Sequence, residues 1–109
     1  DFTNTFRALS GDAAQDQFTD RDGFAVWQTR WQDRIANEAD AKAIMDSANP
    51  AVIPRNHRIE AMIEAAVAGD LAPFERLMQA LATPYAETDA DLHRPPTEQE
   101  IVPATFCGT

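Results

Sequence analysis

Residues 59–81 read IEAMIEAAVAGDLAPFERLMQAL. Ile59, Met62, Ile63, Ala66 and Val67 recur at helical spacing and share one face. Gly69-Asp70 then interrupts the pattern, reading as a C-cap glycine followed by the next N-cap. Pro73 suits the first turn of a second helix, whose apolar face is Phe74, Leu77, Met78 and Leu81. Two helices joined by so short a connection form an antiparallel hairpin. Just upstream, Pro54 reads as first-turn proline of the first helix, because only an N–H that would go unpaired is missing there. Asn49-Pro50 marks a break, since the residue before proline is pushed out of the α region.

The same logic extends towards the start. Thr3 or Asn4 can cap a short helix in which Phe2, Phe6 and Leu9 share a face. Ser10-Gly11-Asp12 ends it and can open a short turn running to Phe18. Asp20 or Asp22 caps the next helix, with Phe24, Trp27, Trp31 and Ile35 as its stripe. The spacing of Trp27 and Trp31 reads as aromatic core packing rather than a ligand platform. A further helix starts at Asp40, carries Ile44 and Met45, and stops before Asn49. Alanine occurs 20 times and glycine 4 times, and strand-type alternation is absent. The expected class is therefore all-α: a small irregular helical bundle with a hairpin over residues 1–83 and an extended tail over 84–109.

The tail holds Pro84, Pro95, Pro96 and Pro103, four of the seven prolines, and clusters Glu87, Asp89 and Asp91. Such a composition favours extended or partly disordered chain. It closes on Ile101, Val102, Phe106 and Cys107, an apolar end that is useful only if it docks.

Length and charge narrow the function. The chain has 109 residues and a net charge of −9, so one domain at most is expected and nucleic acid is a poor partner. No apolar run approaches the ~18 residues a membrane span needs, and no signal peptide is expected. One Cys excludes an internal disulfide framework and a Cys-rich zinc site. Asp20/Asp22 and Asp89/Asp91 lack the loop a hard cation needs and read as solvated charge or caps. His57 and His93 have no Glu or Cys spaced to complete a zinc site, and His57 reads as structural. No phosphate-binding glycine loop and no nucleophile elbow occurs, so no catalytic residues are assigned.

Arg55-Asn56-His57-Arg58 is the one concentrated basic patch. Guanidinium groups there could clamp a carboxylate or phosphate, or hold backbone carbonyls and neighbouring acids. The structural or interdomain role is favoured, with Arg55 and Asn56 as the contact residues. Cys107, near the chain end between Phe106 and Gly108, is sterically accessible for thiol exchange.

These residues carry a resemblance. The stretch from Asp1 to Ser10 is similar to the D-x-T-x-x-F-R-x-L-S segment of the selenoprotein O family, and Asn49 to His57 resembles its N-P-x-x-x-x-R-N signature. Glu64–Asp70, Leu77–Leu81, Pro84-Tyr85, Arg94-Pro95-Pro96 and the final Cys follow in the family's order. The resemblance implies a longer parent with a pseudokinase fold that transfers AMP from ATP to Ser, Thr or Tyr of target proteins, using Mg²⁺ or Mn²⁺. The family's nucleotide and metal residues lie upstream and none maps onto this chain, so no ATP or metal ligand is expected here. Asp1 in place of Met fits a piece of something longer. Cys107 matches the family's redox Cys or selenocysteine third from the end. Where some relatives carry another Cys this chain has Ala104, so a disulfide partner would come from the kinase-like core or another chain.

The expected function is thus a non-catalytic C-terminal helical region of a cytoplasmic protein adenylyltransferase. Its partners are the upstream core and, for the parent, protein substrates. The competing reading is an autonomous helical interaction module without enzymatic activity. The hairpin is like a two-helix repeat unit, but only one unit is visible.

Overall fold

A computed structural model of the chain describes residues 1–106. Cys107, the expected redox residue, lies outside the described residues. Six α-helices and two single 3₁₀ turns, with no strand, make up the described chain, as the alanine content and helical spacing predict. The chain divides into two units, one ending at Ala51 and the other starting at Val52.

In the first unit, α1 spans Phe2–Ala8, α2 Arg21–Ile35 and α3 Ala41–Ala48, with a 3₁₀ turn at Ala14–Gln17. Asp1 caps α1 by accepting from the Asn4 N–H at 2.9 Å, so the cap lies before Thr3 and Asn4, where the sequence placed it. Asp20 caps α2 by accepting from the Gly23 N–H. The core is Leu9, Ala14 and Phe24, with Ala8, Trp31 and Met45 packed against it. Phe18, Phe24, Trp27 and Trp31 form a run of adjacent rings, with centroids 4.4, 5.5 and 5.9 Å apart. Trp27 is nonetheless 43% exposed, so the expected core stripe is buried at Phe24 and open at Trp27. Helical spacing sets the angle of a side chain around the axis, but not whether another element covers it. Arg7 ties α1 to the end of α3, with Nη1 donating to the carbonyls of Asp46 (2.9 Å) and Asn49 (3.0 Å). Those carbonyls are the acceptors a helix C-terminus leaves unpaired.

In the second unit, α4 spans Asn56–Val67 and α5 Ala72–Ala82, packed as the expected hairpin. Pro54 lies outside α4, because Arg55 is the N-cap and has extended backbone. Gly69 has φ +92°, the left-handed conformation that favours glycine. The Asp70 N–H reaches the Ala65 carbonyl (2.9 Å) and the Gly69 N–H reaches Ala66 (3.0 Å), a Schellman closure. Asp70 then accepts from the Ala72 N–H at 3.0 Å, while Leu71 takes the N-cap position of α5.

Beyond Thr83 the chain is irregular, broken by α6 (Ala90–His93) and a 3₁₀ turn at Glu98–Glu100. It is not loose. Leu92 is 5% exposed and joins Val52, Leu77 and Ala80 in the second core, with Ile59, Met62 and Leu81 alongside. The Val52 N–H donates to the Pro84 carbonyl at 3.2 Å. Acidic composition around Asp89 and Asp91 suggests solvated chain, but Leu92 between them and Arg94 supplies the anchor that composition conceals.

Candidate functional site

The basic patch sits at the head of α4. Arg55 is half-buried, Asn56 exposed, His57 buried and Arg58 half-buried. No side chain caps this helix end; the Ile59 N–H closes the first turn on the Arg55 carbonyl at 3.0 Å. Burial lowers the pKa of the Arg55 guanidinium, because the charged form loses its water.

Arg58 faces the tail. Its Nη2 donates to the Asp91 carbonyl and lies 3.5 Å from the Asp91 carboxylate. From α5, Arg76 grips both tail carboxylates. Nη1 and Nη2 donate to Asp91 at 3.1 and 2.6 Å, while Nε and Nη2 donate to Asp89 at 3.2 and 2.7 Å. The Arg76 pKa is driven above its usual value by these bonds, first from Asp91, and the Asp91 carboxyl is held below its usual range by Arg76. The acidic pair Asp89/Asp91 is therefore an ion-paired staple between hairpin and tail, not free solvated charge.

A second clasp lies further along. Arg94 forks onto Glu100, Nη1 to Oε2 and Nη2 to Oε1, both at 2.6 Å. Glu100 also accepts from the Thr97 N–H at 2.9 Å and closes a capping box around the 3₁₀ turn. Two guanidinium bonds and a backbone donor favour the ionised carboxyl and hold the Glu100 pKa far below its usual range, Arg94 contributing most.

His57 is 7% exposed, and its Nε2 is buried without a hydrogen-bond partner. Burial, then the neighbouring Arg58, lower the imidazole pKa, with Glu100 opposing them. An uncharged imidazole is the form this position favours. His57 and Glu100 both line two open grooves, of about 440 and 360 Å³. The larger also presents Glu60 and Glu64; the smaller presents Arg55 and Asn56.

Chemically the head of α4 is a clamp. Arg58 there, and Arg76 and Arg94 of the neighbouring segments, are engaged with carboxylates and carbonyls of the same unit. Among the described residues no three His, Cys, Asp or Glu side chains gather as a metal ion would require. Arg55 and Asn56 stand together beside the smaller groove. Arg58 belongs to the patch that the sequence singles out and holds a carbonyl and an acid as expected, whereas Arg76, Arg94 and Glu100 were not foreseen as working partners. One signal was legible: Thr97-Glu98-Gln99-Glu100 has the capping-box spacing. The Arg76 pairings, 13 and 15 residues away, had no local signal.

No protein-family model matches the chain. Individual relatives do, along its whole length. The chain is 58% identical to the protein nucleotidyltransferase YdiU of Roseobacter denitrificans and 60% identical to that of a Ruegeria species. It is 49% identical to the YdiU of a Bradyrhizobium species. Over its whole length the chain is similar to the C-terminal region of selenoprotein O-type proteins. It spans only 23%, 24% and 25% of these three relatives' lengths, in the C-terminal region of the selenoprotein O-type sequence. The clamp at the head of α4 therefore lies on the N-P-x-x-x-x-R-N segment that resembles the selenoprotein O signature. No helix of the described residues is long and apolar enough to cross a membrane.

Proposed function

We propose that this chain is a non-catalytic helical region of a protein adenylyltransferase. The parent would transfer AMP from ATP to Ser, Thr or Tyr hydroxyls of target proteins in the cytoplasm. ATP and Mg²⁺ or Mn²⁺ would be held by the upstream kinase-like core. The observation that carries this reading is similarity along the whole of this chain, at 46–60% identity, to about a quarter of proteins named protein nucleotidyltransferase. Arg55 and Asn56, at the mouth of the smaller groove, are the proposed contacts with the core. Cys107 is the proposed redox residue, exchanging with a thiol outside this chain.

The test is AMP transfer by the full-length parent. Folded parent incubated with α-labelled ATP and Mg²⁺ or Mn²⁺ is expected to label itself or proteins of an extract. Folded parent that transfers no AMP under either metal sinks the proposal. For the thiol, oxidant is expected to produce a mobility shift on a non-reducing gel that Cys107→Ser abolishes; an identical shift in the variant refutes it.

A further inference from the structure

Two phenylalanines on α1 have no role in the core beneath them. Leu9, with Ala8 beside it, already anchors this segment in the first core, against Ala14 and Phe24. Phe2 is 80% exposed and Phe6 41% exposed, their ring centroids 4.7 Å apart. They form one small apolar face. The helix that carries it is held from below, by the Asp1 cap and by Arg7 on the end of α3. A rigid helix presenting paired aromatic rings loses little freedom on binding, which favours association. Aromatic rings also contribute most per residue to interface burial.

We propose that Phe2 and Phe6 are the docking face for the part of the same polypeptide that precedes Asp1. The inference rests on the reading of this chain as a C-terminal region of a longer parent. Its relatives are about four times as long, the chain covering 23–25% of each, and the match lies in their C-terminal region. The preceding chain would join beside Phe2 itself. A partner tethered at that point acts at high effective concentration, so a small apolar face suffices. A second copy is a poorer occupant, because each copy of this chain carries a net charge of −9 and two would repel.

Hydroxyl-radical footprinting of the full-length parent tests this. In the folded parent, the peptide bearing Phe2 and Phe6 is expected to oxidise at least tenfold more slowly than in the same protein unfolded in urea. A smaller difference overturns the proposal. Protection that disappears on dilution from dimer to monomer also overturns it, by assigning the face to a second copy. In the full-length Phe2→Ser/Phe6→Ser variant, α1 amides are expected to exchange at least tenfold faster than in the wild type, and unchanged exchange counts against the face. If the variant fails to fold, the wild-type footprint decides alone. The footprint is independent of AMP transfer: a protected face in a parent without transferase activity refutes the proposed function and leaves this inference standing.

Discussion

Replacing Leu92 by Ala measures how firmly the tail is seated. Leu92 is 5% exposed and clusters with Val52, Leu77 and Ala80, which come from two other segments of the second unit, the chain before α4 and α5. The substitution removes three carbons, worth about 2.4 kcal/mol at about 0.8 kcal/mol each. The space left behind adds about 1 kcal/mol for every ~40 Å³ that does not collapse. A loss of about 3 kcal/mol is therefore expected, a large share of the ~5–15 kcal/mol typical of a small domain. At about 4–8 °C per kcal/mol, the melting transition should fall by roughly 12–24 °C. Urea unfolding followed by far-ultraviolet circular dichroism is the assay, since both tryptophans, Trp27 and Trp31, lie in the first unit and their fluorescence reports that unit. Leu77→Ala serves as the buried reference and Ile101→Ala, at a 60% exposed position of the same tail, as the exposed one. If Leu92→Ala behaves like Ile101→Ala while Leu77→Ala loses about 3 kcal/mol, the tail is not part of the core and the reasoning is wrong.

Other outcomes follow from the clamp and the caps. Arg76→Ala should cost about 1 kcal/mol or less, given its exposure, and the cost should shrink in 1 M NaCl as screening removes the pairing with Asp89 and Asp91; a salt-independent loss contradicts an ion-pair role. The His57 pKa is lowered in the folded chain, so the unfolded chain takes up the proton first; stability is complete above about pH 6.5 and falls as the pH drops below it. His57→Gln should flatten that slope between about pH 7 and 5, and an unchanged slope would assign it to other groups. Asp91 and Glu100 have lowered pKa values, so their contribution is present above about pH 4 and is lost on further acidification; Glu100→Gln should reduce that acid limb. Gly69→Ala should cost about 1 kcal/mol in thermal unfolding, because φ +92° strains any residue with a Cβ even where nothing crowds it.

Some of the site was readable and some was not. The hairpin, the Gly69 closure and the Asp20 cap all rest on residues close in sequence, and the structure has them where spacing placed them. Arg55 was identified as the head of a basic patch from its neighbours alone. The clasp that engages the patch was hidden, since Arg58 and Arg76 find Asp91 only after the chain has turned back past α5. The boundary placed after residue 83 tracked a real change in composition, but the division into units falls between Ala51 and Val52. Composition reports how polar a segment is; it does not report that one leucine within it fits a neighbouring hollow.

The sequence by itself determined the helical class, the positions of the breaks and the family resemblance. Propensity, capping and proline act within a few residues, and motif order survives without coordinates. Tertiary structure alone decided which apolar side chains are covered: Leu92 is taken in, while Phe2 and Trp27 stay exposed. It also decided that Asp89 and Asp91 are paired rather than solvated. The physical reason is that burial and charge pairing depend on what lies opposite a side chain, and that is fixed by segments distant along the chain.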